Sequence, residues 1–281
     1  MDYYKNYAVK YGRPVADAVA DRYGDADSLV RSGNPIIDHM LMHRSIRRFT
    51  SDPVAEGDVR TAIAAAQSAA TSSNLQSWSV IKVSDPSHKQ EVNRLCGNQG
   101  QIDDAPLMLV WLADQSRNYA IGEAYDTQLE AFDYLESTML GMVDTCIAAQ
   151  NAALAFEALG YGTCFIGAVR NNAEALAALL QLPARCVPVI GLAVGRPHPR
   201  HDSDIKPRLS QDIVVHDEVY RVAEGQEIMA YDRVMTEFQG KQGMAPHGWS
   251  GAVAVRLGTR SALHGRDRYM EFLRVAYMGT R

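Results

Sequence analysis

The sequence is poor in cysteine and in the spacings that mark metal or disulfide sites. Four cysteines occur in 281 residues. Cys96, Cys146, Cys164 and Cys186 are far apart, with no C-x-x-C pair and no histidine cluster beside them. Metal sites and disulfide frameworks need tight or repeated spacing, so buried free thiols are expected, with neither zinc nor disulfides. Two phosphate-binding signatures are also missing: no G-x-G-x-x-G follows a strand and no G-x-x-x-x-G-K-[ST] occurs, so neither the usual dinucleotide site nor a P-loop is indicated. No uninterrupted apolar run approaches the roughly 18 residues of a membrane span. The charged, tyrosine-rich stretch 1–10 lacks the apolar centre of a signal peptide. An excess of basic charge is absent too. The 28 Lys and Arg face 33 Asp and Glu, a net charge of −5, whereas nucleic-acid binding needs a strong basic field. A cytoplasmic protein with no nucleic-acid or membrane partner is expected.

What is present is ample material for a core. With 47% hydrophobic and 22% charged residues, the chain reads as an ordinary globular protein of one large or two ordinary domains. Its charge is uneven. Residues 241–281 hold seven basic side chains against Asp267 and Glu271, so they carry +5 and residues 1–240 carry −10. A solvated or salt-bridged arm is the plainer reading, and an anion-binding arm the sharper one. Three zones follow from composition: an N-terminal extension over 1–36, a core over 37–215, and a polar, less regular arm over 216–281 belonging to the same domain.

Within the core, Val59, Ile63 and Ala66 sit at helical spacing after Asp52-Pro53 and predict a helix near 55–70. Residues 78–83 alternate like a strand, and the continuous apolar run 107–112 fits a buried one. Residues 135–159 read as one long helix ended by Gly160. Apart from Asp144, Gln150 and Asn151 its faces are nearly all apolar, so it must be covered on all sides, in a core or in a subunit interface. A short strand at 163–167, a helix started by Asn171-Asn172 and a strand at 187–194 follow. Mixed elements without regular βαβ repetition favour an α+β fold over a doubly wound sheet.

Four segments could carry chemistry. His43-Arg44-Ser45-Ile46-Arg47-Arg48 concentrates guanidinium forks suited to phosphate, although an arginine cluster alone is more often a solvated surface. In Lys206-Pro207-Arg208 the proline imposes extended backbone, so both cations point the same way. Thr71-Ser72-Ser73-Asn74-Leu75-Gln76 is a hydroxyl-rich loop, or simply a turn. Phe165-Ile166-Gly167-Ala168 combines a strand end with minimal side chains, where backbone could approach a flat ligand. The histidines His39, His88, His198, His201, His216, His247 and His264 read as surface or structural groups, and Tyr231, Phe238 and Trp249 as packing.

In this combination and order, the segments resemble the FMN-dependent nitroreductase family, most closely its oxygen-insensitive nitroreductase A and flavin reductase P group, over about 37–240. His43-Arg44-Ser45-Ile46-Arg47 matches the family's R-S-x-R flavin motif, 71–76 its hydroxyl loop, and 165–172 its turn over the isoalloxazine. Gly97-Asn98-Gln99 stands where the group has a flavin-contacting glutamine. Val143-Asp144-Thr145 and 149–152 match its dimer-interface helix, and 191–195 with Lys206-Pro207-Arg208 and Val215-His216 complete the set.

The resemblance implies an α+β nitroreductase-like fold, with a central mixed, mainly antiparallel sheet flanked by helices. It also implies an intertwined homodimer holding FMN at the subunit interface. The implied reaction is ping-pong: NADPH or NADH gives hydride to flavin N5, and a nitroaromatic or quinone then takes two electrons. No catalytic side chain is required, because the cofactor carries the chemistry. By resemblance Arg47 supports the flavin edge electrostatically. Arg208, with Ser45 and one of His43 and Arg44, would hold the phosphate. Lys206 would lie along the ribityl or ring edge. Thr71, Ser72, Ser73, Asn74, Gln99, Phe165, Ile166, Gly167 and Ala168 complete the cofactor set. Three positions depart from the group: Ala168 for its second glycine, Asn74 for a bulkier residue, and Lys241, in Gly240-Lys241-Gln242-Gly243, where an arginine takes the 2′-phosphate. Reduction of free flavin, a specialised dehalogenation or dehydrogenation, and flavin binding without turnover remain alternatives.

Overall fold

The computed structural model of the chain describes residues 17–24, 33–200, 203–279 and 281. The expectations for 1–10 and His201 lie outside these residues. In chain order the helices begin with α1 (Asp17–Tyr23), α2 (Pro35–Leu41), α3 (Glu56–Gln67), α4 (Pro86–Leu95), α5 (Gly100–Asp104) and α6 (Ser116–Ala124). They continue with α7 (Leu135–Ala158), α8 (Ala173–Leu179), α9 (Gln211–Val214), α10 (Gly225–Lys241), α11 (Gly248–Leu257) and α12 (Tyr269–Val275). The chain divides into two compact units: Met1–Arg44 with Asp202–Leu263, and Ser45–His201 with His264–Arg281.

The second unit is built on four strands: β1 (Trp78–Val83), β2 (Leu107–Asp114), β3 (Gly162–Ile166) and β4 (Cys186–Gly195). Their order is β1-β2-β4-β3, and every neighbouring pair is antiparallel. Among the described residues the one parallel pairing is the isolated bridge between Ser45 and Thr163. The apolar run over 107–112 is buried along its whole length, as a strand covered on both faces must be. Alternation of side chains sorts it into two cores. Met108, Val110 and Leu112 join Ile46, Ile102, Ile166 and Leu176. Leu107, Leu109 and Trp111 join Val59, Ala148, Ala152 and Phe156.

Helix α7 covers the sheet with its small residues Ala148, Ala149, Ala152 and Ala153, and packs against α3. It ends where Gly160 adopts φ +83°. Within the chain, however, it is not covered on all sides. Leu135, Met139, Val143 and Ile147, each four residues after the last, are 45%, 51%, 54% and 40% exposed. A period of four keeps them on one stripe, so α7 is a core helix on one face and an open apolar surface on the other. By length and composition alone it could also cross a membrane, a property that a search for uninterrupted apolar runs misses. Its buried Asp144 is hydrogen-bonded to the 71–77 loop. One cysteine departs from expectation: Cys96, Cys164 and Cys186 are buried, but Cys146 lies exposed on α7. Burial pushes the Cys96 and Cys186 thiols up to about 12.

The first unit differs from its expected irregular arm in holding the 17-residue helix α10 and the 10-residue α11. Glycines stand at the helix ends here: Gly225 opens α10, Gly243 (φ +66°) follows it, and Gly248 (φ +67°) opens α11, while Gly240 and Gly251 lie within the helices. Glu224 and Glu227 form a reciprocal capping box at the start of α10. The first N–H groups of α11 are satisfied by α10, with Gln239 Oε1 accepting from Gly248 at 2.9 Å and Asp232 Oδ1 accepting from Trp249 and Ser250 at 2.8 and 2.7 Å.

Candidate functional site

In the unit of Ser45–His201 with His264–Arg281, the R-S-x-R segment runs beside β3. Ile46 N donates to Thr163 O at 2.8 Å. Ile46 is buried against Gly162, where a Cβ would stand 2.6 Å from Ile46 Cγ1. Glycine is therefore required at 162 for the segment to approach the strand. Ile46 anchors the segment while Arg47 stays exposed. Arg47 lies close enough to Cys164 for its charge to oppose the upward shift that burial imposes on that thiol.

The hydroxyl loop is held by a residue of the long helix. Thr71 Oγ1 donates to Asp144 Oδ2 at 2.6 Å, Ser72 N to Asp144 Oδ1 at 3.2 Å, and Ser77 N to Asp144 Oδ2 at 3.3 Å. From α6, Asn118 Nδ2 donates to Leu75 O at 3.1 Å and Arg117 Nη2 to Gln76 O at 3.0 Å. These bonds fix a loop in which Ser73, Asn74 and Gln76 adopt φ of 49°, 56° and 50°, a region non-glycine residues enter at a cost. The hydroxyl of Thr71 is thus committed to Asp144, whereas Ser72, Ser73 and Asn74 are exposed. Such backbone persists because its surroundings hold it.

The strand end at Phe165-Ile166 leads into a short 3₁₀ turn, Gly167–Arg170. Ile166 is buried in the sheet core, and the departure at Ala168 is accommodated by packing against that same core. Gln99 and Asn171 meet beside Gly97: a Cβ on Gly97 would lie 3.6 Å from Asn171 Nδ2 and 3.9 Å from Gln99 Nε2. Asn171 Oδ1 is buried and has no hydrogen-bond partner among the described residues. Gly167 faces two guanidinium groups, Arg170 Nη2 at 3.5 Å and Arg266 Nη1 at 3.6 Å from its would-be Cβ. Arg266 belongs to the basic tail, and its place at this turn was not legible from sequence. Elsewhere the tail follows the plainer reading. Arg281 lies 4.0 Å from Asp133, and Arg256 donates to Ala262 O.

In the other unit, Lys206 and Arg208 are exposed while Pro207 between them is buried, the alternation expected of an extended segment. Both cations line a cavity of about 390 Å³ with Tyr231, Phe238 and Trp249. Tyr231 Oη donates to Pro207 O at 2.9 Å, and its ring meets Trp249 edge-on at 5.7 Å, so these aromatics pack the cations' support. Arg208 Nη1 donates to Lys206 O at 3.1 Å. His43 and Arg44, half-buried, belong to this unit as well. Buried Arg22 of α1 reaches both basic segments, with Nη2 donating to His43 O at 2.5 Å and Nη1 to Lys206 O at 3.1 Å. Lys241 pairs with Glu237 at 2.7 Å on the exposed face of α10.

Each unit, taken by itself, holds groups whose chemistry suits a part of FMN. Clustered Lys and Arg side chains match a phosphate. In the unit of Ser45–His201 with His264–Arg281, the side-chain-free Gly167 and, separately, the buried Asn171 oxygen without a partner among the described residues suit a flat, hydrogen-bonding ring. Among the described residues no group of His, Cys, Asp and Glu could hold a metal ion.

Comparison with known proteins identifies the family. The sequence profile of the Nitroreductase family matches residues 40–196, and that of the Nitroreductase family C-terminal domain matches 206–276. The chain is similar to an FMN reductase [NAD(P)H] of Bacillus subtilis, 40% identical over 226 residues that span 79% of this chain and 90% of that protein. It is also similar to an oxygen-insensitive NADPH nitroreductase of Salmonella typhimurium, 37% identical over 73% of this chain and 82% of that one. The solved structure of B. megaterium NfrA2 superposes with a TM-score of 0.83 at 35% identity, covering 89% of this chain and all of that one. With the R-S-x-R segment, the hydroxyl loop, the β3 turn and the K-P-R segment all inside the matched regions, the chain belongs to the nitroreductase family.

Proposed function

We propose that this protein is an NAD(P)H-dependent FMN oxidoreductase, a cytoplasmic homodimer that reduces small-molecule acceptors. The observation that carries the reading is the exposed–buried–exposed alternation of Lys206-Pro207-Arg208, which sets two cations on one cavity in a chain 40% identical to an FMN reductase. Bound FMN would supply the hydride and electron chemistry, accepting from the nicotinamide and giving to the acceptor.

The chain's own residues bind and orient. Arg208 and one of His43 and Arg44 would neutralise the phosphate, Ser45 would offer its hydroxyl, and Lys206 would lie along the ribityl or ring edge. Arg47 presents a guanidinium to the ring edge, where added electron density is stabilised by fixed positive charge. Ser72, Ser73 and Asn74 offer donors from a loop already fixed by Asp144, so little reorganisation accompanies binding. Gln99 and the 165–168 turn border the ring. Lys241 contributes little to choosing NADPH over NADH, because it is paired with Glu237 and lacks the bidentate fork of arginine.

The apolar stripe of α7 supports the dimer. A second copy would cover Leu135, Met139, Val143 and Ile147, as the all-apolar helix requires. The acidic composition, the free thiols and the absence of a basic surplus support a cytoplasmic, nucleic-acid-free and membrane-free role.

One similar protein is named for FMN reduction and another for nitro reduction, so free FMN is a second acceptor to weigh beside nitroaromatics and quinones. Initial rates measured with NADPH or NADH against each acceptor test the proposal. Parallel double-reciprocal lines are expected, since donor and acceptor use one place in turn. Intersecting lines would show that both bind together, and the proposed mechanism fails. The acceptor with the highest kcat/KM decides between the two readings.

A further inference from the structure

We infer that Arg22, in the N-terminal extension, is a positioning residue for the phosphate end of the cofactor site. The extension carries none of the motifs that match the family, whose profile begins at residue 40. Yet α1 delivers a guanidinium, 6% exposed, between the two basic segments of its unit. Arg22 Nε donates to Leu41 O at 2.7 Å, the C-terminal carbonyl of α2. Nη2 donates to His43 O at 2.5 Å and Nη1 to Lys206 O at 3.1 Å. The contact is returned by the main chain, with Arg208 N donating to Arg22 O at 2.9 Å.

His43 and Lys206 are 163 residues apart in sequence, and one rigid planar fork spans their carbonyls. Tyr231 completes the frame by holding Pro207 O at 2.9 Å. The carbonyls of Lys206 and Pro207 and the amide of Arg208 are therefore all engaged. The directions in which the Lys206 and Arg208 side chains leave the backbone are set by this frame. So is their spacing from His43 and Arg44. A phosphate gripped by several cations at once is sensitive to such spacing, because bidentate geometry degrades over fractions of an ångström. Gly24, at φ +74°, ends α1 directly after Arg22 and Tyr23, with its N–H bonded to Ala20 O at 2.8 Å, so the position of Arg22 near the helix C-terminus is itself fixed. The positive charge there also complements the carbonyl ends of α1 and α2.

The inference rests on the FMN reading above. It separates from a purely structural role through the ligand. FMN and riboflavin share the ring and differ by the phosphate, so a positioning residue for the phosphate alters their ratio, whereas general loosening weakens both. The experiment is titration of the full-length apoprotein with FMN and with riboflavin, followed by quenching of flavin fluorescence, for the parent, Arg22→Ala, Arg22→Lys and Arg208→Ala. Arg22→Ala is expected to weaken FMN about tenfold, the effect of about one charge-assisted hydrogen bond, and to leave riboflavin within about twofold. Arg22→Lys keeps the charge and the helix but cannot span three divergent carbonyls. It is expected to shift the ratio in the same sense, and it carries the test if Arg22→Ala does not fold. An unchanged ratio in the Arg22 variants, or an equal loss of both ligands, overturns the inference. If Arg208→Ala also leaves the ratio unchanged, the phosphate assignment underlying the FMN reading fails as well. A loss of the ratio in Arg208→Ala alone leaves that reading standing and removes only Arg22.

Discussion

At the residue scale, Asp144 shows how a single polar group in an apolar helix shapes the site. It sits 2% exposed on α7 and accepts from Thr71, Ser72 and Ser77. Removing it leaves the buried Ser77 N–H, and the Thr71 and Ser72 donors beside it, without this partner, and an unsatisfied buried donor costs more than its bond contributes. Asp144→Ala is expected to lower stability by about 3 kcal/mol, measured by denaturant unfolding. It should also raise KM for the nicotinamide donor through loss of the loop's shape. Unchanged stability and unchanged KM would show that the loop holds itself. Gly162 makes a second residue-scale case. A methyl group there meets Ile46 at 2.6 Å, so Gly162→Ala must displace the segment carrying Ser45 and Arg47. A weakened hold on FMN is expected, and the flavin-to-protein ratio after gel filtration checks it.

Both residues also mark what sequence could and could not disclose. Asp144 stands out in 135–159 as an exception to the apolar pattern, but its partners lie 67 to 73 positions away and no local rule names them. Arg22, in a segment read only as an extension, has partners 19 and 21 positions away and a third 184 positions away. Arg266 gave no local signal at all, since proximity to Gly167 arises from tertiary packing.

At the scale of elements, strands were readable where burial repeats with a simple period. Residues 78–83 and the run beginning at 107 became β1 and β2, and the Asn172 cap indeed starts α8, accepting from Ala175 N. The helices of the C-terminal arm were harder to read, because glycines within and beside them resemble breaks and the N-terminus of α11 is capped from α10, whereas α10 carries its own capping box at Glu224 and Glu227. Asp232 is the cap of α11, and its bonds to the Ser250 and Trp249 N–H groups lower its carboxyl below the ordinary 3.8. The folded-state pKa is depressed, so the stabilisation is complete above that ordinary value and is lost as pH falls through the lowered one. Asp232→Ala is expected to cost about 1 kcal/mol at neutral pH and to fray α11. Hydrogen exchange at Trp249 and Ser250 would reveal the fraying, and undiminished protection there would refute the capping role.

At the scale of the whole molecule, the chain leaves an apolar stripe of α7 exposed. Val143, at 54% exposure, lies in the middle of the open stripe of α7. Val143→Glu places a charge where a second copy is proposed to pack, and burying an unpaired charge is costly. Sedimentation should find a dimer for the parent and a shift toward monomer for the variant. Equal sedimentation of the two would locate any subunit contact elsewhere. The net charge of −5 similarly conceals local structure, since cations gather at 43–48 and 206–208 and residues 241–281 carry +5.

The most direct test of flavin-mediated electron transfer is anaerobic titration of the FMN-loaded protein with NADPH and with NADH, followed by visible absorption. The flavin colour is expected to bleach with one or both nucleotides at one equivalent per bound FMN, and to return when a nitroaromatic, a quinone or free FMN is added. FMN that binds but stays coloured under both nucleotides would contradict the account and leave a flavin-binding protein without turnover.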